Sequence, residues 1–563
     1  MFGRAVVALV PLAALATTGG AAPSTCTAGG PPVVVTGTAV EADAKTYVEL
    51  PVDVGDGVTR LEVTYDWTGD GVIDLGLWGP DGGFRGWSGS RGGRVSHGQE
   101  PVFVQPDVAA RGYDPGPVDA GTWTVDLGLA TVAAEGTTYT VTVTCTAPAV
   151  GPAFVADPVD PDEVLDDASG EYLADFHVHG FESNAEAPTW EQVVQTYDDA
   201  GFDVVFATDY VTDAHWGLLG PVQRAHPDVL VVPGREIITY FGHAMALGET
   251  PDELEYRHGF DGVTLRGIED ATVADGALFQ VNHPTTFPEA EYGDLCRGCE
   301  FQLGDEIDWN EVTTYEVLNT GIVSGGDATQ ENPFVQTAID SWEALLLEGH
   351  RLTAVSGSDS KGVEDTPEDR ARSGYGSSGT AILADHLSRA AVFDALRAGR
   401  AYIRTRGPAS PQLHVELATE DGQRVTFGGV VGGDEATLQV QVRGAVGHTL
   451  VVSVDGEPAG DLIPVDADPF SYETTIERSD ASGPLGTFVR VDTVDPGGIR
   501  STIGNPLFIA PVGEPPTTTA TTTAAPAPVG GGTGGGTAVF AGVLAVLAVA
   551  AIAGVVVTRR RRE

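Results

Sequence analysis

The strongest constraint on the fold is an alternation of strand patterns with helical patterns between residues 171 and 406. Ala174 to His179 and Phe202 to Thr208 are predicted as buried strands, and Trp190 to Ala200 between them has a helical apolar face. Further predicted strands are Val229 to Val232, Ala277 to Asn282, Tyr315 to Asn319 and Leu352 to Ser356. Such alternation is typical of a parallel-stranded α/β barrel or a related fold.

Polar residues that suit a metal ion stand at the ends of five of these strands. They are His177, His179, Asp209, Glu236, His283 and Asp359, with His243 shortly after Glu236. The carboxyl ends of the strands carry the active site in α/β barrels. Alternate residues of an extended chain point the same way, so the two histidines of the first strand can bind one ion together.

Imidazoles combined with carboxylates suit zinc, iron or manganese. A metal that lowers the pKa of its bound water to about 7 makes hydroxide available, so the chemistry indicated is hydrolysis. Each residue is ambiguous alone, since an Asp after a strand is usually a helix cap. The joint occurrence at several strand ends is hard to explain by packing, and we interpret the set as a metal site.

Seven segments, in order along the chain, carry a resemblance to a known family. They are Asp175–His179, Gly201–Asp209, Pro233–Glu236, Gly242–His243, Asn282–Pro284, Tyr315–Asn319 and Gly357–Asp359. They resemble the PHP (polymerase and histidinol phosphatase) metallohydrolases, and more narrowly the carbaryl-hydrolase-like CehA/McbA subgroup. In that subgroup an Ala-Leu-Arg-Ala-Gly-Arg segment and a β domain follow, and here the segment is Ala395 to Arg400. The resemblance implies a (β/α)7-like barrel.

The resemblance also implies two divalent metal ions, of zinc, manganese or iron. The implied ligands of the first ion are His177, His179, Glu236 and Asp359. Those of the second ion are Glu236, His243 and His283, so that Glu236 bridges the two ions. Asp175 and Asp209 are expected to orient imidazoles from outside the ligand set. Glu316 and Asn319 lie at another strand end, without an assigned role.

Three positions depart from the family pattern, and they resemble the ligands of a third metal in trinuclear members. Tyr210 stands where a His commonly follows Thr-Asp, Lys361 stands where the last motif has its His, and no His occurs in 180–185. We therefore expect the third site to be empty or lost. His215 is interpreted as a surface helix residue rather than as a replacement ligand.

Lys361 is one of two lysines in the chain, the other being Lys45. As a catalytic group its ammonium would steady an anionic leaving oxygen, with Tyr210 donating a hydrogen bond nearby. The alternative is that Lys361 only pairs with a local carboxylate. With Glu236 and Asp359, these two residues complete the catalytic candidates.

The flanking regions are predicted to be β-rich. Residues 27–147 and 408–512 contain short alternating strands separated by Gly, Asp and Pro turns, which is typical of β-sandwiches. The first of them resembles the small jelly-roll domains attached to secreted hydrolases. Residues 148–170, rich in Pro and acids, are predicted to be a linker. The sequence thus predicts a multidomain chain with a PHP-like domain at 171–406 between two β-sandwiches.

The two ends indicate an external, anchored protein. Residues 1–22 are predicted to be a secretory signal peptide. Residues 513–537 are predicted to be a Thr/Pro/Gly stalk, 538–558 a transmembrane helix, and 559–563 a cytoplasmic basic tail. The expected location is the cell surface, with a single-span membrane anchor and the N-terminal region outside.

Four cysteines agree with an oxidising compartment. We expect disulfides between Cys26 and Cys145 and between Cys296 and Cys299. The alternatives for the second pair are half of a zinc site and a redox pair, but no second C-x-x-C exists, and the segment resembles a loop rather than a helix start.

The formal net charge of −50, from 30 Lys+Arg and 80 Asp+Glu, argues against a nucleic-acid partner. The expected partner is a small-molecule substrate, with a phosphoester, ester or carbamate bond to hydrolyse. The alternative function is a catalytically degenerate surface binding or adhesion protein, since two sandwiches, a stalk and an anchor also suit display. Sequence leaves the oligomeric state, the substrate and the metal open.

Overall fold

The computed structural model describes residues 25–89, 100–250, 254–293, 295–324, 327–362, 374–479 and 482–512. The predicted signal peptide, stalk, transmembrane helix and basic tail lie outside these residues. Within the described ranges, no helix is long and apolar enough to cross a membrane.

The N-terminal region consists of two four-stranded antiparallel sheets. Their strands are β1 (Val33–Ala39), β2 (Thr46–Val54), β3 (Arg60–Trp67), β4 (Val72–Trp78), β5 (Phe84–Ser88), β6 (Val102–Val104), β7 (Gly121–Thr131) and β8 (Thr137–Thr146). One sheet has the order β1-β8-β3-β6 and the other β2-β7-β4-β5. Alternate residues of β3, from Leu61 to Trp67, are buried in the core between the sheets, as the two-residue period of a half-buried strand requires.

The central region alternates strands with helices. The strands are β9 (Val164–Asp166), β10 (Gly170–Val178), β11 (Val204–Ala207), β12 (Leu230–Thr239), β13 (Gly242–Leu247), β14 (Leu278–Val281), β15 (Val312–Asn319), β16 (Val323–Ser324), β17 (Asp327–Glu331), β18 (Thr353–Gly357), β19 (Gly379–Ala384), β20 (Leu387–Ser388) and β21 (Ala401–Arg404). The helices are α1 (Trp190–Ala200), α2 (Leu219–Ala225), α3 (Leu265–Ala274), α4 (Glu289–Tyr292), α5 (Pro333–Glu348) and α6 (Arg389–Arg397). A capping box between Thr189 and Gln192 starts α1, and Gly201 with φ +80° ends it.

The central strands form a mixed sheet with the order β18-β15-β14-β13-β12-β11-β10-β19-β21. β10, β11 and β12 are parallel, but β13 is antiparallel to both of its neighbours. The expected parallel barrel is not shown by these pairings. The reason is local: two residues, Tyr240 and Phe241, join β12 to β13, which suffices for a hairpin but not for a parallel crossover. An isolated parallel bridge between Val178 and Ser360 brings the segment after β18, at one end of this order, to the end of β10.

The C-terminal strands are β22 (Gln412–Ala418), β23 (Arg424–Val425), β24 (Val430–Gly432), β25 (Glu435–Arg443), β26 (Thr449–Val454), β27 (Glu457–Pro458), β28 (Ile463–Pro464), β29 (Phe470–Glu477), β30 (Thr487–Val494), β31 (Arg500–Gly504) and β32 (Leu507–Ala510). β23-β22-β25-β29 form a separate sheet. The others extend the central sheet, because β31 pairs with β21 through Ile403 and Ile503. The two layers share one apolar core, which includes Val415 and Val491. The central sheet therefore continues across the domain boundary expected at residues 406–408.

Candidate metal centre

The six expected ligands come from five strands of the central sheet or the residues that follow them. His177 belongs to β10, Glu236 to β12 and His243 to β13, while His179, His283 and Asp359 follow β10, β14 and β18. The end of β18 is held against β10 by two backbone hydrogen bonds. Asp359 N donates to His177 O at 2.8 Å, and His179 N donates to Ser360 O at 3.1 Å. The meeting of these two strand ends therefore brings Asp359 to the histidine pair.

The first ligand set has four donor atoms that lie close together. Nε2 of His177 and Nε2 of His179 are 3.1 Å apart. Oε2 of Glu236 is 3.2 and 3.3 Å from these two nitrogens, and Oδ1 of Asp359 is 3.4 and 3.1 Å from them. The two ring nitrogens and Oε2 of Glu236 lie within 4.8 Å of one another and form one candidate ligand triad, and Asp359 approaches that triad from the side of the two rings.

The second ligand set uses the other oxygen of the same carboxylate. Oε1 of Glu236 is 3.1 Å from Nδ1 of His243 and 3.4 Å from Nε2 of His283. The hairpin register explains the first contact, since His243 lies opposite Ile238 and thus diagonal to Glu236 on one face of the sheet. Glu236 is 1% exposed and directs one oxygen into each set.

Each imidazole of the first set has an acceptor on its outer nitrogen. Nδ1 of His177 lies 3.2 Å from Oε1 of Glu316, and because a carboxylate only accepts, this nitrogen carries the proton. Nδ1 of His179 lies 3.2 Å from Oγ of Ser183, which donates its own proton to Asp209 at 2.6 Å. Both Nε2 atoms therefore present lone pairs to the ligand set, as metal-binding histidines do.

The imidazoles of the second set are oriented by backbone carbonyls. Nε2 of His243 donates to Arg297 O at 2.9 Å, and Nδ1 of His283 donates to Cys299 O at 3.1 Å. A carbonyl oxygen can only accept, so the proton of each ring lies on the outer nitrogen. The inner nitrogens then face Glu236 with lone pairs.

Four imidazole lone pairs thus surround one buried carboxylate, and this arrangement fits divalent cations. Oε2 of Glu236 receives no hydrogen bond from the described residues. Burial opposes a charge on His177, yet Asp359, Glu236 and Glu316 raise its pKa. Burial likewise opposes the charge of Glu236, but His177 and the neighbouring histidines hold its pKa well below the usual range. The set therefore stabilises a positive charge at its centre.

In two further triads the candidate ligand atoms lie within 4.8 Å of one another, but neither triad adds a metal site. One joins His243 and His283 to Cys299, but Cys299 is disulfide-bonded and cannot supply a thiolate. The other joins His177 and His283 to Glu316, and there the proton-bearing Nδ1 of His177 faces the carboxylate. Glu316, left without a role by the sequence, is the group that orients His177.

Local backbone geometry supports the ligands at some conformational cost. Asp359 has φ +48° and His283 has φ +27°, values that non-glycine residues rarely adopt. Gly357 leaves the room that the first set needs, since a Cβ there would lie 2.2 Å from Cβ of His177 and 2.4 Å from Oε1 of Glu316. Backbone strain and close approach thus both occur at the candidate site.

The two aspartates expected to orient imidazoles act less directly. Asp175 accepts hydrogen bonds from the backbone N–H groups of His177 and Ser358, at 3.1 and 3.0 Å, and from the Tyr197 hydroxyl. Asp175 therefore joins β10 to the end of β18 instead of contacting an imidazole. Asp209 reaches His179 through Ser183.

Tyr210 and Lys361 occupy the positions where ligands of a third metal are expected, and neither is a histidine. The rings of Tyr210 and His179 lie 4.2 Å apart, and Nζ of Lys361 lies 5.3 Å from the Tyr210 ring. Lys361 pairs with Oδ1 of Asp359 at 2.6 Å. Burial disfavours the charge of Lys361, but Asp359 and Tyr210 raise its pKa, so the ammonium stays charged.

The interpretation of His215 as a surface residue is wrong. Its side chain is fully buried, and Nε2 lies 3.0 Å from Ala207 O and 3.1 Å from Gly234 O. Burial lowers its pKa. The ring packs beside Trp190 and next to Trp216, which is itself buried.

Both expected disulfides are present, Cys26 with Cys145 and Cys296 with Cys299. The second lies at a cavity of about 650 Å³ that opens beside the ligand sets. Described residues of the N-terminal sandwich, such as Trp87 and Arg111, and of the central region, such as Tyr210, His243 and Arg297, line it. The sandwich therefore forms part of the wall next to the candidate metal centre.

No family model and no curated protein matches the chain. Among solved structures, it is similar to a two-domain protein of Bacteroides vulgatus ATCC 8482 that contains a predicted PHP-like metal-dependent phosphoesterase. The identity is 17%, the TM-score is 0.33, and the match covers 62% of this chain and 99% of that one. It is also similar to the Clostridium perfringens CspB protease, with 14% identity, a TM-score of 0.10, and coverage of 20% and 25%. TM-scores this low carry no argument, so the functional conclusion depends on the site.

Proposed function

We propose that this chain is a metal-dependent hydrolase of the PHP type, with two divalent ions of zinc, manganese or iron. One observation carries the proposal. The buried carboxylate of Glu236 directs Oε2 at His177 and His179 and Oε1 at His243 and His283. The outer nitrogen of each of the four rings faces a hydrogen-bond acceptor, which places the ring proton on the outer side. A carboxylate in this position suits two cations, one at each oxygen.

When bound, the ions supply an activated water and polarise the bond to be broken. The protein contributes the rest. His177, His179 and Asp359 would hold the first ion, and His243 and His283 would hold the second. Glu236 would bind both. Lys361 places a positive charge beside Asp359, where it would stabilise negative charge on a leaving oxygen, with Tyr210 next to it.

The proposed substrate is a small molecule with a phosphoester bond, or alternatively an ester or carbamate. The cavity of about 650 Å³ is large enough for such a molecule. Its wall combines aromatic groups, including Trp87 and Tyr210, with charged groups, including Arg297. Nucleic acid is disfavoured by the net charge of −50.

The proposed location is the cell surface, with a single-span anchor at residues 538–558. The two disulfides support an oxidising compartment. The anchor itself remains a prediction of the sequence.

The direct test is a turnover assay on the purified full-length chain. The metal-free protein is supplied with Zn²⁺, Mn²⁺ or Fe²⁺ and offered phosphomonoester, phosphodiester, aryl-ester and carbamate substrates. The control variant is Glu306→Gln, because Glu306 pairs with His258 outside the ligand sets. Metal-dependent turnover that is lost in Glu236→Gln and kept in Glu306→Gln supports the proposal. Metal binding without turnover on any substrate favours the alternative, a degenerate surface binding protein. Absence of metal binding contradicts both the centre and the enzyme.

A further inference from the structure

The loop closed by the Cys296–Cys299 disulfide contacts both histidines of the second ligand set. We call Cys296, Arg297, Gly298 and Cys299 the disulfide loop. Its Arg297 carbonyl accepts the Nε2 proton of His243 at 2.9 Å, and its Cys299 carbonyl accepts the Nδ1 proton of His283 at 3.1 Å. The two acceptors are two residues apart and lie within a single cross-linked turn.

These contacts decide which nitrogen of each ring is free to bind an ion. A neutral imidazole has one donor and one acceptor nitrogen, and its hydrogen-bond partner selects between the two tautomers. With the outer proton held by a carbonyl, the inner nitrogen of His243 faces Oε1 of Glu236 at 3.1 Å. The first ligand set has no contact of this kind with the disulfide loop, because Glu316 and Ser183 serve its rings.

The loop is also packed tightly against His243. Gly298 has φ +90°, and a Cβ there would lie 2.4 Å from Thr239 O and 3.0 Å from Nε2 of His243. Two residues after the loop, Phe301 N donates to Pro284 O at 2.9 Å, next to His283. The loop therefore bridges the β12–β13 turn and the segment after β14.

We infer that the disulfide loop is a positioning element for the second divalent metal ion. The cross-link holds the carbonyls of Arg297 and Cys299 at the separation that suits His243 and His283. A loop of four residues without the cross-link has many more conformations, so the two acceptors are no longer fixed together. This inference rests on the proposed dinuclear centre, and it extends the loop beyond a simple structural staple.

The test is a calorimetric titration of metal-free full-length protein with Zn²⁺. We expect the wild-type chain to bind two ions. Cys296→Ser/Cys299→Ser should keep the first ion unchanged and bind the second about 10–100-fold more weakly, the usual effect of removing an outer partner of a ligand. Serine is preferred to chemical reduction, because a free Cys299 thiolate would itself be a ligand near His243 and His283. Cys26→Ser/Cys145→Ser removes the other disulfide and should bind two ions normally.

Gly298→Ala provides a second variant that retains the disulfide. Its methyl group should displace the loop from His243 and weaken the second ion selectively. Gly276→Ala is the matched control, because Gly276 has a similar φ of +86° with open space around it. Titration with Co²⁺ adds a spectroscopic signature, since the second equivalent should change the visible absorption of wild type but not of Gly298→Ala.

The outcomes separate the two proposals. Two ions bound with wild-type affinity in both loop variants would overturn the inference and leave the dinuclear centre intact. Loss of both ions in the loop variants, with the fold retained by circular dichroism, would overturn it as well, since the loop would then act on more than the second set. A wild-type chain that binds fewer than two ions would overturn the dinuclear centre and the inference with it.

Discussion

Nζ of Lys361 lies 2.6 Å from Oδ1 of Asp359, the same oxygen that lies 3.1 Å from Nε2 of His179. A carboxylate oxygen of the first ligand set is therefore shared with a permanent positive charge. The ammonium lowers the net negative charge of the first ligand set, and in the proposed reaction it would stabilise negative charge on a leaving oxygen. A local ion pair and a catalytic role are therefore compatible for this residue.

Lys361→Met should strengthen binding of the first ion and slow turnover. Removal of one positive charge next to a divalent ion should raise its affinity about tenfold. The value of kcat should fall about tenfold or more if the ammonium stabilises the leaving oxygen. Zn²⁺ titration and steady-state kinetics measure the two effects separately. Lys45→Met, which removes a surface pair with Glu289, is the control. Full turnover in Lys361→Met would contradict the catalytic role and show that Lys361 serves only as an ion-pair partner of Asp359.

Glu316→Gln should weaken the first ion about 10–100-fold without unfolding the protein. The amide oxygen can still accept the Nδ1 proton of His177, but the negative charge that makes the ring a better ligand is lost. Zn²⁺ titration measures the affinity. Glu306→Gln, which alters a comparable pair with His258 at 2.9 Å, should leave it unchanged. Equal affinity in both variants would contradict the role given to Glu316.

Gly357→Ala should destabilise the protein and disrupt the first ligand set. The added methyl group would overlap Cβ of His177 and Oε1 of Glu316, and both lie in a fully buried site that cannot relax outward. We expect a loss of about 1–3 kcal/mol in the free energy of unfolding. Gly267→Ala in α3, where a Cβ meets little, should instead be neutral or stabilising. Chemical unfolding of both variants checks this, and a neutral Gly357→Ala would show that the packing is looser than described.

The buried carboxyl group of Glu269 should make the free energy of unfolding fall as the pH rises. Its side chain is buried in α3, Oε1 has no hydrogen-bond partner in the described part of the chain, and desolvation raises its pKa from 4.5 to about 7. The folded protein keeps this proton between these pH values while the unfolded chain releases it. The stabilising contribution is therefore complete below about pH 4.5 and is lost by about pH 7.

Glu269→Gln should remove this pH dependence. The difference in unfolding free energy between the variant and wild type should shift in favour of the variant by about 1–3 kcal/mol from pH 5 to pH 8. Unfolding is measured in a chelator, so that metal binding does not contribute. Parallel pH profiles of the two proteins would show that Glu269 does not hold its proton.

The clustering of the candidate ligands could be predicted from the sequence, because strand ends followed by His, Glu or Asp have a clear pattern. The groups that orient the rings were harder to predict. Ser183 lies in an ordinary loop, and the carbonyls of Arg297 and Cys299 leave no trace in residue identity, since every residue carries a carbonyl. Glu316 was visible as a polar strand end, but its partner His177 is set by tertiary packing.

The sheet topology shows a similar limit. Hydrophobic alternation predicts strands, but it does not tell which sheet a strand joins. The ladder between β21 and β31 links regions assigned to different domains, and the β12–β13 hairpin turns a supposed parallel sheet into a mixed one. The prediction that His215 lies at the surface is wrong because the burial of this ring depends on the carbonyls of Ala207 and Gly234, which belong to two other strands.

The most direct test of the central claim is an anomalous-scattering map from crystals of the protein grown with Zn²⁺. The account predicts two peaks, one among His177, His179, Glu236 and Asp359, and one among Glu236, His243 and His283, with Glu236 between them. A map without peaks at these residues, at saturating Zn²⁺, would contradict the dinuclear centre. A single peak at the first set would contradict the bridging role of Glu236.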